Sequence, residues 1–347
     1  YVALGVRWMR GAAAMGIRLV DTDEGMHEVG TASNWNESRY VDFYDPVNKV
    51  GGWFRIGVRP NEGRAEMSAC VYLPDGSVAF KFGREPVTTN TLHPGPQSWE
   101  IVEPWRHNKV SFVGDMYVIA DPWKLVNPKE AFTTSPLVPC EIHLDAFSTG
   151  LDAVMGQDQD QHHLIFLPGQ ADFHYQHLAH TIGTVKVGDR SWNVDGRGGK
   201  DHSWGPRNWH AKIYLRWQIA SVNDDFGFML TRAVGPTKKT RSGFVWQDGT
   251  FHVVDDYEMT NTYAEAPNYE CRKIELVIHS GERSWTATGT PTGWMPVRHV
   301  QQGADGKPAL LRIVKSPVNW IVDGQVAVGT HEYHDLMVDG VPYGLFD

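Results

Sequence analysis

The sequence predicts an all-β protein of two antiparallel β-barrel domains in tandem. Three observations predict it. Asp-Gly pairs recur along the chain, short runs between them alternate apolar and polar residues, and helical periodicity is almost absent. Asp-Gly tolerates the positive φ angles of tight hairpin turns. It occurs at Asp75-Gly76, Asp195-Gly196, Asp248-Gly249, Asp305-Gly306, Asp323-Gly324 and Asp339-Gly340. Period-two patterning punctuated by turns is the mark of a sandwich or barrel.

Taken in order, the first elements are two strands, Tyr40–Pro46 and Gly51–Arg59, joined by a turn around Pro46 to Lys49. Residues 127–131, Asn-Pro-Lys-Glu-Ala, suit one short helical turn. The stretch Gly150 to Gln161 is polar and without periodicity, as a linker or long loop would be. It divides an N-terminal domain over residues 1–155 from a C-terminal domain over 156–347. Beyond it, Val185-Lys186-Val187 runs through Gly188-Asp189 into Ser191–Val194. Ile213, Leu215, Trp217 and Ile219 then alternate with Lys212, Tyr214, Arg216 and Gln218, and Phe251–Val254 and Ile274–Ile278 repeat the theme. Each half has strands enough for a barrel of roughly eight, the size whose interior holds one small ligand.

With 41% hydrophobic and 21% charged residues, the 347-residue chain can bury a sizeable core, which excludes a disordered protein. Its 14 Trp suit thick β cores or a large apolar cavity. A net charge of −9 without a dense basic stripe argues against nucleic acid as a partner. Lys238-Lys239-Thr240-Arg241, beside Gly235-Pro236, reads as a solvated hairpin tip. Cys70, Cys140 and Cys271 form no CxxC pair, so reduced thiols and a cytoplasmic location are expected. No apolar run approaches the ~20 residues of a membrane span. Tyr1 to Leu19 lacks the apolar stretch of a signal peptide, and the absence of an initiator Met leaves an upstream segment open.

The densest chemistry lies in Lys200-Asp-His-Ser-Trp-Gly-Pro-Arg-Asn-Trp209. Burying Asp, His and Arg costs free energy unless they satisfy one another, so this segment is a polar knot or an active site. On a strand, His202 and Trp204 share one face and Asp201 and Ser203 the other. Gly-Pro interrupts the ladder, and a bulge there would turn Arg207 and Trp209 toward the same cavity. His202 suits proton transfer because its ordinary pKa lies near neutrality. An Asp201–Arg207 ion pair pinning a barrel corner is the structural alternative. His174, His177 and His180 do not converge as metal ligands, since a strand puts His177 opposite the other two. His162-His163 is a weaker metal candidate still. Glu332 and His334 share one strand face, His331, Tyr333 and Asp335 the other. Arg55 and Arg59 are co-facial, as are Tyr214 and Arg216. Neither a phosphate-binding Gly-rich loop nor a G-x-S-x-G elbow is present.

Gly198-Gly-Lys-Asp-His-Ser-Trp-Gly-Pro-Arg207 resembles the Gly-x-x-Asp-His-Ser-Trp-Gly-x-Arg signature of the hydroxyneurosporene synthase-like proteins. That superfamily includes carotenoid 1,2-hydratases and AttH-like proteins and is built from two lipocalin-like β-barrels. Gly183-Thr-Val-Lys-Val, Tyr44-Asp-Pro and Arg55-Ile-Gly-Val-Arg-Pro-Asn-Glu62 are similar to a bacterial branch of it. The resemblance implies a cofactor-free, metal-free site in an apolar cavity that handles an isoprenoid or another large hydrophobic molecule. It implies proton transfer and cation stabilisation for His202 and Trp204, with Asp201 and Arg207 in support.

The expected function is therefore a cofactor-independent lyase or isomerase of the hydratase, dehydratase or cyclase type. Its substrate would be a hydrophobic small molecule such as a terpenoid, a steroid-like or an aromatic compound. His202 would shuttle the proton, with Asp201 fixing its tautomer. Trp204 and Trp209 would wall a pocket in the second barrel. Arg207 would position a substrate oxygen, and Tyr214, Arg216, Glu332 and His334 would complete substrate binding. A lipocalin-like carrier of a hydrophobic ligand is the alternative, and an interdomain clasp a third reading. Oligomeric state is left open, a homodimer included.

Overall fold

A computed structural model of the protein describes residues 20–150, 167, 169, 171–208, 212–302 and 308–346. The first sheet comprises β1 (Trp35–Asp45), β2 (Val50–Arg59), β3 (Arg64–Tyr72), β4 (Val78–Pro86), β5 (Gln97–Glu103), β6 (His107–Ile119), β7 (Leu137–Thr149), β8 (Phe173–Val187) and β9 (Arg190–Pro206). Between β6 and β7 lies the helix α1 (Pro128–Thr134), opened by proline in its first turn. The second sheet comprises β10 (Tyr214–Ser221), β11 (Phe226–Val234), β12 (Lys239–Gln247), β13 (Thr250–Val253), β14 (Asp256–Tyr263), β15 (Cys271–Ser280), β16 (Arg283–Pro291), β17 (Met295–Gln302), β18 (Pro308–Val322), β19 (Gln325–Val338) and β20 (Val341–Pro342). Among the described residues no helix is long and apolar enough to cross a membrane.

All pairings are antiparallel. The first sheet runs β4-β3-β2-β1-β9-β8-β7-β6-β5, and the far end of β6 also pairs with β4, which closes eight strands into a ring. The second runs β13-β12-β11-β10-β19-β18-β16-β15-β14, with β17 on β18 and β20 on β19. The all-β architecture read from the sequence, antiparallel and in two successive parts, is the architecture of the protein. Asp248-Gly249, Asp323-Gly324 and Asp339-Gly340 make hairpin turns with positive φ at both residues. Asp195-Gly196 does not turn but lies within β9, where a Cβ on Gly196 would stand 2.7 Å from the Tyr44 carbonyl carbon. Asp305-Gly306 and residues 151–161 of the expected linker fall outside the described residues.

The expected division at 155/156 does not match the sheets. β8 and β9 follow that point and yet complete the first ring, and the sheets part between Pro206 and Tyr214. The Asp-His-Ser-Trp-Gly-Pro-Arg segment is thus part of the first sheet, not the second. Composition marked a polar stretch, but sheet membership is fixed by long-range register. β9 pairs with β1 at the other end of the sequence, Arg39 opposite His202 and Tyr40 opposite Asp201.

Each sheet has its own core. Val41, Phe43, Phe54 and Ile56 belong to the first, and Phe228, Ile274, Trp285 and Trp320 to the second. A third core joins the two sheets, Tyr40, Trp53 and Phe80 packing with Leu215, Trp217, Ile219 and Met229. Strands β1 and β10 are consequently buried on both faces along their whole length. Asp42 stitches the contact, its carboxylate accepting from the Gly199 N–H at 2.7 Å and from the Thr330 hydroxyl of the second sheet at 2.7 Å.

Candidate functional site

Where the sheets separate beside this shared core they border an open cavity of about 500 Å³, within the range of small-molecule sites. The alternation of β1, β8 and β9 decides what the first sheet shows it. Tyr40 lies opposite Asp201, Ser38 opposite Ser203, and Ser203 opposite His174. Side chains of directly paired residues lie on the same face of a sheet, so these residues reach the cavity together. The second sheet contributes an equally aligned set. Lys315 pairs with Glu332 and Ile313 with His334 across β18 and β19, and Trp217 lies opposite Glu332 on β10. Trp53, Phe80, Phe132, Leu215, Trp217 and Met295 supply apolar wall.

Asp201 opens onto this space with about a fifth (22%) of its side chain exposed, its carboxylate 3.7 Å from His174 Nε2. Burial alone would raise the Asp201 pKa, but His174, Arg207 and Lys315 outweigh it and hold the carboxyl below its ordinary value. The Lys315 ammonium sits 4.3 Å from the Tyr40 ring centre and 5.1 Å from that of Trp53, a placement that favours a cation. It contacts the Glu332 carboxylate, which also accepts from His334 Nε2. Burial pushes Lys315 down to about 7, and Asp42 and Asp201 pull against that fall. Burial and the surrounding cations push His334 well down, so its imidazole is neutral. With Nε2 turned to Glu332, Nδ1 of His334 has no hydrogen-bond partner among the described residues.

The cavity is electropositive although the chain carries −9 overall. Arg55, Arg84, Arg207, Arg298 and Lys315 face only three carboxylates, Glu66, Asp201 and Glu332, with the Lys212 amine beside them. Burial and Arg55 depress the Arg207 guanidinium to about 10. Burial and the neighbouring Arg207 and Lys315 likewise lower Lys212 far below its usual range.

Of the residues expected to form the site, Asp201, Arg207, Glu332 and His334 line this cavity. His202 and Trp204 do not. They share a face, as the strand period requires, but it is the face turned into the first ring. There His202 Nε2 meets Glu37 at 2.8 Å and Nδ1 meets the Tyr175 hydroxyl at 3.2 Å. Trp204 packs with Trp35, Trp105 and Tyr175 and stacks on His27 at 3.9 Å. Parity gave the pairing correctly. Which face borders the hollow depends on where the second sheet docks, and local sequence does not carry that. Burial and Arg39 lower the His202 pKa to about 4 against the pull of Glu37, so the ring is neutral.

Tyr214 and Arg216 also miss the cavity, pointing from β10 into the second sheet. Arg216 grips the Asp335 carboxylate at 2.9 and 3.1 Å and the Gly344 carbonyl at 2.9 Å, and it lies against the rings of Tyr214 and Tyr333. Asp335 overcomes burial and holds the guanidinium above its ordinary pKa. Trp209 and His162-His163 lie outside the described residues. His174 is in the cavity, His177 is buried within the first ring, and His180 bonds Asp195 at 2.6 Å, so the three do not converge. Among the described residues, the metal-capable group whose ligand atoms do converge is His27, Glu37 and His202, all within 4.8 Å. Sequence reading missed Lys315, Tyr40 and Lys212. For Lys315 the signal was a lone lysine inside the apolar run of β18.

A family model described as "Domain of unknown function (DUF7064)" matches residues 20–337. No curated protein matches the chain significantly. Among solved structures, CghA with Sch210972 is 12% identical, with 89% of this chain and 90% of that one covered and a TM-score of 0.55. A second CghA structure is 12% identical over 94% of this chain and 97% of that one, also at 0.55. An AttH-type protein from Nitrosomonas europaea is 12% identical over 88% and 93%, with a TM-score of 0.50. These likenesses are of fold alone.

Proposed function

We propose that this chain, which belongs to the DUF7064 family, is a lyase or isomerase that moves a proton on a hydrophobic small molecule bearing an anionic or enolisable oxygen. The observation that carries this reading is one cavity combining an aromatic wall, an ionised Asp201 backed by His174, and a lysine seated on Tyr40 and Trp53. Asp201 takes or returns the proton at carbon, and His174 holds its carboxylate in place. The adjoining oxygen gathers negative charge as the proton leaves. Lys315 and Arg207 oppose that charge from fixed positions in the cavity wall. Neutral His334, through Glu332, steadies the lysine. His202 and Trp204 belong to the scaffold that holds β9 in register, not to the reacting set.

The apolar wall would serve a carrier equally well, and the two readings part at Asp201. Native mass spectrometry of the purified chain identifies the bound molecule, and that molecule then serves as substrate. Asp201→Asn should still bind it and lose turnover by about 10²-fold or more. A carrier would bind it identically in both forms and leave it chemically unchanged.

A further inference from the structure

Away from the cavity, at the end of the first ring where Trp35, Trp105 and Trp204 cluster, three side chains from three segments converge. His27 comes from the stretch before β1, Glu37 from β1 and His202 from β9. His27 Nδ1 stands 2.9 Å and His202 Nε2 2.8 Å from the same oxygen, Oε1 of Glu37. We infer that His27, Glu37 and His202 form a binding site for a first-row divalent metal ion of the zinc class.

Convergence of donor atoms is the first argument, since one ring nitrogen of each histidine and a Glu37 oxygen all lie within 4.8 Å of one another. His27 faces oxygens at both nitrogens, Glu37 through Nδ1 and Asp23 through Nε2 at 3.4 Å. His202 does the same, with Glu37 at Nε2 and the Tyr175 hydroxyl at Nδ1. The single Tyr175 proton goes to Glu24 at 2.5 Å, so His202 Nδ1 must donate to the phenol oxygen. Nε2 of His202, turned to Oε1 of Glu37, is then the nitrogen left to meet a cation, as Nδ1 of His27 is on the other side.

The surroundings are those of a built metal site. Two imidazoles and one carboxylate are a donor set that zinc accepts while keeping a fourth position open. Neighbouring donors around a zinc ion stand roughly 3.4 Å apart, given bonds of ~2.1 Å, so the imidazole nitrogens, at 2.9 and 2.8 Å from Oε1, need only draw back slightly from it. Each ring nitrogen pointing away from the centre has the outer partner typical of ligating histidines, Asp23 for His27 and Tyr175 for His202. Glu37 is positioned in turn by the His27 backbone N–H at 3.0 Å and by Asn90 Nδ2 at 2.9 Å. Asp23, Glu24 and Glu37 lie around the centre against Arg39 and Lys200, a local excess of one negative charge that suits a cation. His202 and Glu37 are fully buried, while the His27 side chain, about a fifth (21%) exposed, leaves a way in from solvent.

The test uses the full chain, stripped with chelator, desalted and titrated with zinc chloride by calorimetry. One zinc per chain is expected, with a change in tryptophan fluorescence because Trp204 stacks on His27. Cobalt chloride in its place should give the visible absorption of a four- or five-coordinate centre. His27→Ala, at the partly exposed ligand, should fold normally and bind zinc at least about tenfold more weakly, and Asp23→Asn roughly tenfold more weakly through loss of the outer partner. His143→Ala, at an exposed histidine elsewhere, should bind as the unaltered chain does. The inference is overturned if the unaltered chain shows no saturable zinc uptake, or if His27→Ala takes up zinc with unchanged affinity. Neither result bears on Asp201 and its cavity.

Discussion

His331 shows how a buried residue sets behaviour without touching a site. It lies inside the second sheet beside Tyr333, and neither ring nitrogen has a partner among the described residues. Burial, reinforced by Arg216, lowers its pKa from 6.5 to about 3. Between those values the unfolded chain takes up a proton that the folded chain refuses. Its contribution to stability is therefore complete above pH 6.5 and drains away as pH falls, at about 1.4 kcal/mol per pH unit. Asp42 runs the other way. Burial raises its pKa above the ordinary value, so the folded state gains by binding that proton as the solution is acidified. A variant separates the two effects. From pH 7 to pH 5, urea unfolding should show the unaltered chain losing about 2 kcal/mol more than His331→Phe. Equal losses would mean that His331 is not held neutral.

Among the elements, β9 does the most. Its outward face delivers Asp201 and Ser203 to the cavity, its inward face holds His202 and Trp204, and its glycines let neighbours approach closely. A Cβ on Gly198 would lie 2.3 Å from Asp42 Oδ1 and 2.4 Å from the Asp42 carbonyl, and backbone cannot swing aside. One on Gly199 would meet the tips of Met229 and Ile219 at 2.7 and 2.8 Å, and flexible ends can yield. Gly198→Ala should accordingly cost about 3 kcal/mol or more, and Gly199→Ala nearer 1 kcal/mol. Thermal denaturation of the two variants reads the order, and a reversed order would sink the argument. Much of this strand could be read in advance. The pairing of Asp201 with Ser203 and of His202 with Trp204 followed from the two-residue period, and the hairpin at Gly188-Asp189 from its turn residues. Which pair borders the cavity could not, because that is decided by β10 and β19 docking on the outer face.

For the whole molecule, turn residues and alternation were enough to give the class of fold, since both are local signals. The cavity was only partly legible. Glu332 and His334 stood out because ionisable residues crowd β19, whereas Lys315 and His174 acquire meaning only when strands far apart in sequence are set side by side. The charge contrast between a net −9 chain and a cation-rich cavity gives a global test. Replacing Lys315 by Met should weaken binding of the anionic dye anilinonaphthalene sulfonate about tenfold, equivalent to ~1.4 kcal/mol. The neutral dye Nile red should bind within about twofold of its original affinity, because the aromatic wall is untouched. Equal loss for both dyes would point to collapse of the cavity. The ring of the first sheet also governs how the gene can be cut. A fragment ending at residue 155 would lack the two strands that join β1 to β7, leaving two unpaired edges open to aggregation. One ending near residue 209 keeps the closed ring whole, so complementation with a separately produced remainder should succeed only at the later cut.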